Sequence, residues 1–376
     1  MRVENQRKSG ARSKNTPGDA GGLKRLGDVL TVEGFGEFTA CFNPLKPAGI
    51  PWESALSSAP PRLRPMLHLF LTNGSVCPAE LPASLRDLVP HLLELGILIL
   101  ETDGQIRTPG LMLIPVMGNW LFCQRPQPNP LLYFGDDSMA LLTRMLPRTG
   151  GESLDLCAGP GLHAMHLGRF SRTVMAVEID AAAAQLAVFN AALNRLSEKI
   201  SVFQGDLFQP VAGLKFDTIA ANPPLLPYPD RLAPPKVGNA GPDGLNIHRR
   251  IFAGLPQALK KHGHAHLIGL SFSDGQRLRV HEELECLAGE LGLDICLSML
   301  AHHPLNRADR FFKALVHSLA VISGVREDEA VEAFLDLVQQ KEATHLCPFF
   351  IHAALGSGRF ELAGVRKGPS GSFWFA

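Results

Sequence analysis

From residue 151 the chain alternates short apolar runs with helical stretches, and that alternation limits it to a mostly parallel α/β sheet. ESLDLCAGPG is a strand entering a Gly-rich turn, and a helix begins over Leu162 to Phe170. RTVMAVEID is a second strand and AAAAQLAVFNAALNRL an amphipathic helix. ISVFQGDLF, FDTIAANPP and HAHLIGLSF supply a third, fourth and fifth strand. LDICLSMLAH and FFKALVHSLAVIS suggest two late strands, REDEAVEAFLDLVQQ a helix, and 345–376 a β-rich end. The predicted architecture is a doubly wound, mostly parallel sheet.

Upstream, Arg62 to Leu71 and Ser84 to Leu95 are apolar at helical spacing. ILILETDGQIRTPGLMLIPV (97–116) then gives two strand-like runs around an Asp103-Gly104 turn. This order resembles a winged helix. A packing or dimerisation module fits it better, because a wing that reads DNA is expected to carry more Lys and Arg. Residues 1–22 are polar and mostly basic and read as a disordered tail. They have no apolar stretch of the kind a secretory signal needs.

Lys+Arg and Asp+Glu balance at 36 each, so the chain lacks the basic excess expected of a protein gripping long nucleic acid. The seven cysteines are scattered, with no C-x-x-C pair, which points to neither a disulfide framework nor a zinc ribbon. A reducing cytoplasm is expected, and no apolar run has the length of a membrane span.

The chemistry is expected at the strand ends. Gly159 and Gly161, in Asp155-Leu156-Cys157-Ala158-Gly159-Pro160-Gly161, have no Cβ to hold a ligand off the backbone. In an open parallel sheet that turn lies where ligands bind. Such a turn alone is as often a plain strand-to-helix connection. Glu178 ends the second strand, where a carboxylate can accept both ribose hydroxyls, and Asp206 follows the third, where one can accept an adenine N–H. Each acid alone is usually a solvated strand end. Three such features at successive strand ends favour a ligand. Pro160 and His163 break the full phosphate fingerprint, so the ligand reads as an adenosine without a pyrophosphate. Cys157 lies in the same turn and reads as a small packing residue rather than a nucleophile.

The fourth strand ends in Asn222-Pro223-Pro224-Leu225. Two prolines fix φ and remove two donors, and the residue before each is held extended. That rigid turn aims the Asn222 side chain and nearby carbonyls at the crevice, where they can accept hydrogen bonds from a planar N–H₂. His262, His264 and His266 alternate at the entry to the fifth strand, His163 and His166 lie one turn apart, and His302-His303 follow a late strand. All are read as structural, and no metal site is expected.

Residues 135–275 resemble the release-factor glutamine N5-methyltransferases and their relatives with a "methyltransferase small" domain. The resemblance rests on LDLCAGPG, on NPPLLPYPD and on GPDGLNIHRRIF (241–252). It implies a Rossmann-like class I fold and S-adenosylmethionine (SAM) as cofactor. Asp155, Gly159 and Gly161 would line its methionine part, Glu178 its ribose and Asp206 its adenine, with Cys157 and Asn222 at the same site. Asn222 and the Pro223 carbonyl would be the catalytic pair that holds the target nitrogen. Pro224, Leu225 and Tyr228 would meet the substrate. The family's aromatic residue after Asn-Pro-Pro is Leu225 here, and Tyr228 is a candidate to supply the ring instead.

The chain is expected to divide into a tail (1–22), a winged-helix-like α+β domain (23–134), a methyltransferase domain (135–325) and a C-terminal helix with a β-rich extension (326–376), the flanks lying outside the resemblance. The SAM motifs lie between 155 and 206, which leaves the flanks to shape acceptor choice. The expected activity is methyl transfer to a planar nitrogen, a protein glutamine amide or an exocyclic base amine. The alternatives are a small-metabolite N- or O-methyltransferase and a SAM-sensing nucleic-acid-binding protein.

Overall fold

The computed structural model describes residues 20–39, 42, 51–125, 127, 130–233, 239–364 and 374. Most of the expected tail lies outside them, but residues 20–22 already belong to the helix Ala20–Val32. In the fold Gly22 lets the helix approach the His91 ring, since a Cβ there would come within 1.9 Å of it.

The N-terminal region contains the helices Arg64–Leu71, Ala83–Arg86 and Val89–Glu94. The expected hairpin shrinks to β1 (Ile99–Leu100) against β2 (Ile106–Arg107). Gly110, at φ +77°, breaks the second run. Its remainder, β3 (Leu111–Val116), pairs instead with β4 (Asn119–Gln124). Met117 and Gly118 between them both have positive φ, as a tight two-residue hairpin requires. Edge-to-face contacts of Phe35 with Phe70 and Trp120, and of Phe70 with Phe122, tie the helices to this hairpin.

The large sheet is built from β5 (Glu152–Leu156), β6 (Thr173–Glu178), β7 (Ile200–Gln204), β8 (Phe216–Ala221), β9 (Leu259–Ser273) and β10 (Leu293–Met299). A short β11 (His303–Pro304), then β12 (His345–Leu355) and β13 (Phe360–Gly364), complete it. Its order is β13-β10-β12-β9-β8-β5-β6-β7, with β11 on β12. The block β7-β6-β5-β8-β9 is parallel throughout. Winding reverses between β5 and β8, so the turns after these two strands open into one crevice.

Two expectations change here. The run 311–323, read as a strand, is the helix Arg310–Ser323. Asp309 caps it by accepting from the Phe311 and Phe312 N–H groups, and Gly324 ends it in the left-handed region. Phe312, Val316, Leu319 and Ala320 are buried at helical spacing. The C-terminal strands also do not form an extension outside the sheet. β12 lies between β9 and β10, antiparallel to both, so one sheet draws strands from either side of residue 325.

The N-terminal region docks on the helix Ala181–Leu193 through two asparagines. The Asn190 side chain accepts from Phe122 N–H (2.8 Å) and donates to Phe122 O (2.9 Å). The Asn194 side chain accepts from Trp120 N–H (2.8 Å) and donates to Trp120 O (2.7 Å). Four residues of helix rise about 6 Å and two residues of strand about 6.6 Å, so the pair matches the spacing of β4. Asn190 also donates to Pro160 O, at 2.8 Å.

Candidate active site

β5 is buried and delivers its chain into the turn 157–161. Cys157 and Gly159 have positive φ, and Gly161 at φ +85° starts the next helix. A Cβ on Gly161 would press on Ala187 at 3.0 Å, so this glycine serves close packing. A Cβ on Gly159 would meet nothing nearer than Tyr133 O at 3.9 Å, so the space above it is open. Asp155 is fully buried, with one oxygen accepting from Ala164 N–H at 2.8 Å and the other without a partner. Burial, and then the negative charge of Glu178, push its carboxyl up to about 8. Burial likewise raises the Cys157 thiol far above its ordinary range, so it is no thiolate nucleophile.

Glu178 ends β6 beside this turn. Its carboxylate accepts from Gly159 N–H (2.8 Å) and Asp180 N–H (2.9 Å), which locks the turn to the strand end. Burial raises its pKa. Asp206 follows β7 and is paired through one oxygen with Arg250 at 2.6 Å.

Asn222 follows β8 across the reversal point. Its Nδ2 donates to Asp137 Oδ2 (2.8 Å) and lies 3.3 Å from Ser138 Oγ. Its Oδ1 is buried and has no hydrogen-bond partner. The Asp137 Oδ1 accepts from the Tyr133 hydroxyl at 2.5 Å. Tyr133, Asp137 and Ser138 were not singled out in the sequence. They sit 84 to 89 residues before Asn222 in a stretch without a motif, and an Asp-Asp-Ser helix start reads as an ordinary cap.

Pro223 is buried, Pro224 and Leu225 half-buried. Tyr228 is 2% exposed, and its hydroxyl donates to Ala233 O at 2.7 Å and meets Ser323 Oγ at 2.5 Å. Its ring is therefore part of the core and is not free to stack on an acceptor. The segment 241–244 buttresses the turn: a Cβ on Gly244 would sit 2.1 Å from Leu270 O and 3.0 Å from Leu225 O. Arg249 holds Asp243 at 2.7 Å. His264 and His266 engage the backbone of Leu146, and His163 that of Ser138.

Comparison with known proteins fits this geometry. Residues 135–288 match the methyltransferase small domain family model. The ribosomal protein uL3 glutamine methyltransferase of Bradyrhizobium diazoefficiens is 34% identical over 143 residues, 35% of this chain and 44% of that protein. The release factor glutamine methyltransferase of Thermodesulfovibrio yellowstonii is 33% identical over 144 residues, 35% of this chain and 50% of that protein. The chain thus spans about half or less of the length of these curated relatives.

SAM is the methyl donor of the methyltransferase small domain. The residues present fit it: an open cradle over Gly159, a half-satisfied buried carboxyl at Asp155 and a carboxylate at the β6 end. Among the described residues no His, Cys, Asp and Glu cluster could hold a metal ion, and no helix is long and apolar enough to cross a membrane.

Proposed function

We propose that the chain is a SAM-dependent methyltransferase acting on a planar nitrogen, and that the acceptor is a protein glutamine amide. The observation that carries this reading is the Asn222 amide: its nitrogen is committed to Asp137 and its oxygen is unpaired. An acceptor bringing an N–H₂ group satisfies that oxygen and the Pro223 carbonyl together. The glutamine methyltransferases among the relatives support the amide over a base amine.

Bound SAM supplies an electrophilic methyl group. The chain's residues hold the acceptor nitrogen in line with it, and such positioning contributes about 7–11 kcal/mol in favourable systems. An amide nitrogen is a poor nucleophile because its lone pair is delocalised. Hydrogen bonds from its protons to Asn222 Oδ1 and the Pro223 carbonyl stabilise the positive charge that grows on nitrogen as the N–C bond forms and the methyl–sulfur bond breaks with its electron pair on sulfur; the nitrogen then loses one proton to water, leaving a neutral methylamide.

Incubating the chain with tritiated SAM and cell extract, then separating protein, RNA and small molecules, tests the acceptor. Label in protein that survives as methylglutamine on hydrolysis with proteases is expected. Label confined to small molecules would replace this reading with the metabolite reaction that Leu225 leaves open.

In this reading Glu178 holds the ribose. Glu178→Ala removes that contact and the lock on Gly159, costing roughly 1–3 kcal/mol of SAM binding, about fivefold to 150-fold in Kd. Calorimetry on the folded variant checks it, and an unchanged affinity would remove Glu178 from the site. Asp206 has one oxygen left beside the Arg250 pair for an adenine N–H.

A further inference from the structure

We propose that Asp137 is a positioning residue for methyl transfer, fixing the Asn222 amide with its oxygen free for the acceptor and strengthening that oxygen as a hydrogen-bond acceptor. The inference rests on the reading of Asn222 given above.

Geometry comes first. An amide oxygen cannot face a carboxylate oxygen at 2.8 Å, so Asp137 excludes the flipped orientation of Asn222. Without that carboxylate only Ser138 Oγ, at 3.3 Å, distinguishes the two orientations, and a hydroxyl serves either as donor or acceptor. Charge comes second. Asp137 is 5% exposed, and both its side-chain oxygens accept from neutral side chains, Tyr133 and Asn222. Burial raises its pKa and the hydrogen bonds oppose that rise. A buried carboxylate with only neutral partners is expensive, and a neutral amide would tie the same elements together more cheaply. What the charge adds is polarisation. An N–H donating to an anion pushes electron density across the amide onto Oδ1, and chains of such bonds reinforce one another. A more negative Oδ1 matters most when the acceptor nitrogen carries its developing positive charge.

Tyr133 completes the arrangement. Its hydroxyl holds the second Asp137 oxygen, its backbone carbonyl faces the Gly159 cradle, and the residue remains 40% exposed. It therefore touches both halves of the crevice.

The test uses the full chain. Asp137→Asn keeps the shape and one acceptor for the Asn222 amide hydrogen and removes the charge. Tritium transfer from SAM into the extract fraction that the wild-type chain labels is measured at saturating and limiting amounts of that fraction. The expected result is a fall in saturated rate of about tenfold to a hundredfold, with SAM affinity and half-saturation within about twofold. A purely structural Asp137 would show in Asp137→Ala as a lower melting temperature with rate and SAM affinity falling together, and Asp137→Asn would keep both at wild-type values. The Asn222 side-chain amide protons, assigned by their loss in Asn222→Asp, give a readout that needs no acceptor. They are expected to move upfield in Asp137→Asn, and unchanged shifts overturn the proposal. Wild-type rate in Asp137→Asn alongside an inactive Asn222→Ala also overturns it. An active Asn222→Ala overturns the underlying reading instead.

Discussion

Asn222→Ala is expected to lower methyl transfer about a hundredfold to a thousandfold while leaving SAM affinity nearly intact, the usual cost of losing one preorganised transition-state contact. The lost Oδ1 contact gains strength only as charge develops on the acceptor nitrogen, so the rate suffers more than substrate binding. The variant also removes one donor from the buried Asp137 carboxylate, and a stability loss of roughly 1–3 kcal/mol follows. Asn222→Asp looks gentler in sequence but is not. It places a second carboxylate against Asp137 in a buried site, where two like charges cannot both ionise, so the pair retains a proton. Retaining that proton raises the pair's apparent pKa, and activity of the Asp variant should therefore be present at acid pH and decline as pH rises. Rates and SAM affinities of both variants across pH 5 to 9 check this. Full activity in Asn222→Ala would move the reaction away from this turn altogether.

A fragment of residues 135–325 is expected not to fold, although it contains every SAM motif. β12 pairs with β9 over ten residues and with β10 over seven. Its removal exposes both strand edges and strips Cys347, Phe349, Ile351 and Ala353 from the core. Burial of each large apolar side chain contributes about 1.5–3 kcal/mol, so these losses consume much of the ~5–15 kcal/mol that separates folded from unfolded chains. Aggregation or a non-cooperative melt is the expected observation. A soluble, cooperatively melting fragment that binds SAM would show that the C-terminal strands are dispensable.

The parallel half of the sheet was legible because its strands are short apolar runs punctuated by Gly, Pro and acidic ends. Asp155, Gly159, Glu178 and Asn222 could be placed at strand ends from those boundaries alone. The position of β12 was not legible: a strand's neighbours depend on tertiary pairing, and nothing in 345–355 states that it enters between β9 and β10. The helix 310–323 was misread because Phe311-Phe312 and the β-branched Val316, Val321 and Ile322 favour strand locally, while Asp309 and Gly324 carried the helical signal. Tyr228 follows a proline-rich turn and reads as exposed, but its hydroxyl partner Ser323 lies 95 residues away. Asp137 was missed for the same reason, distance along the chain from the residue it serves.

One amide group, that of Asn190, joins β4 of the N-terminal region to the Pro160 carbonyl of the turn 157–161. The same side chain therefore holds the hairpin and the turn 157–161 in one fixed relation, and Asn190→Ala is expected to loosen both.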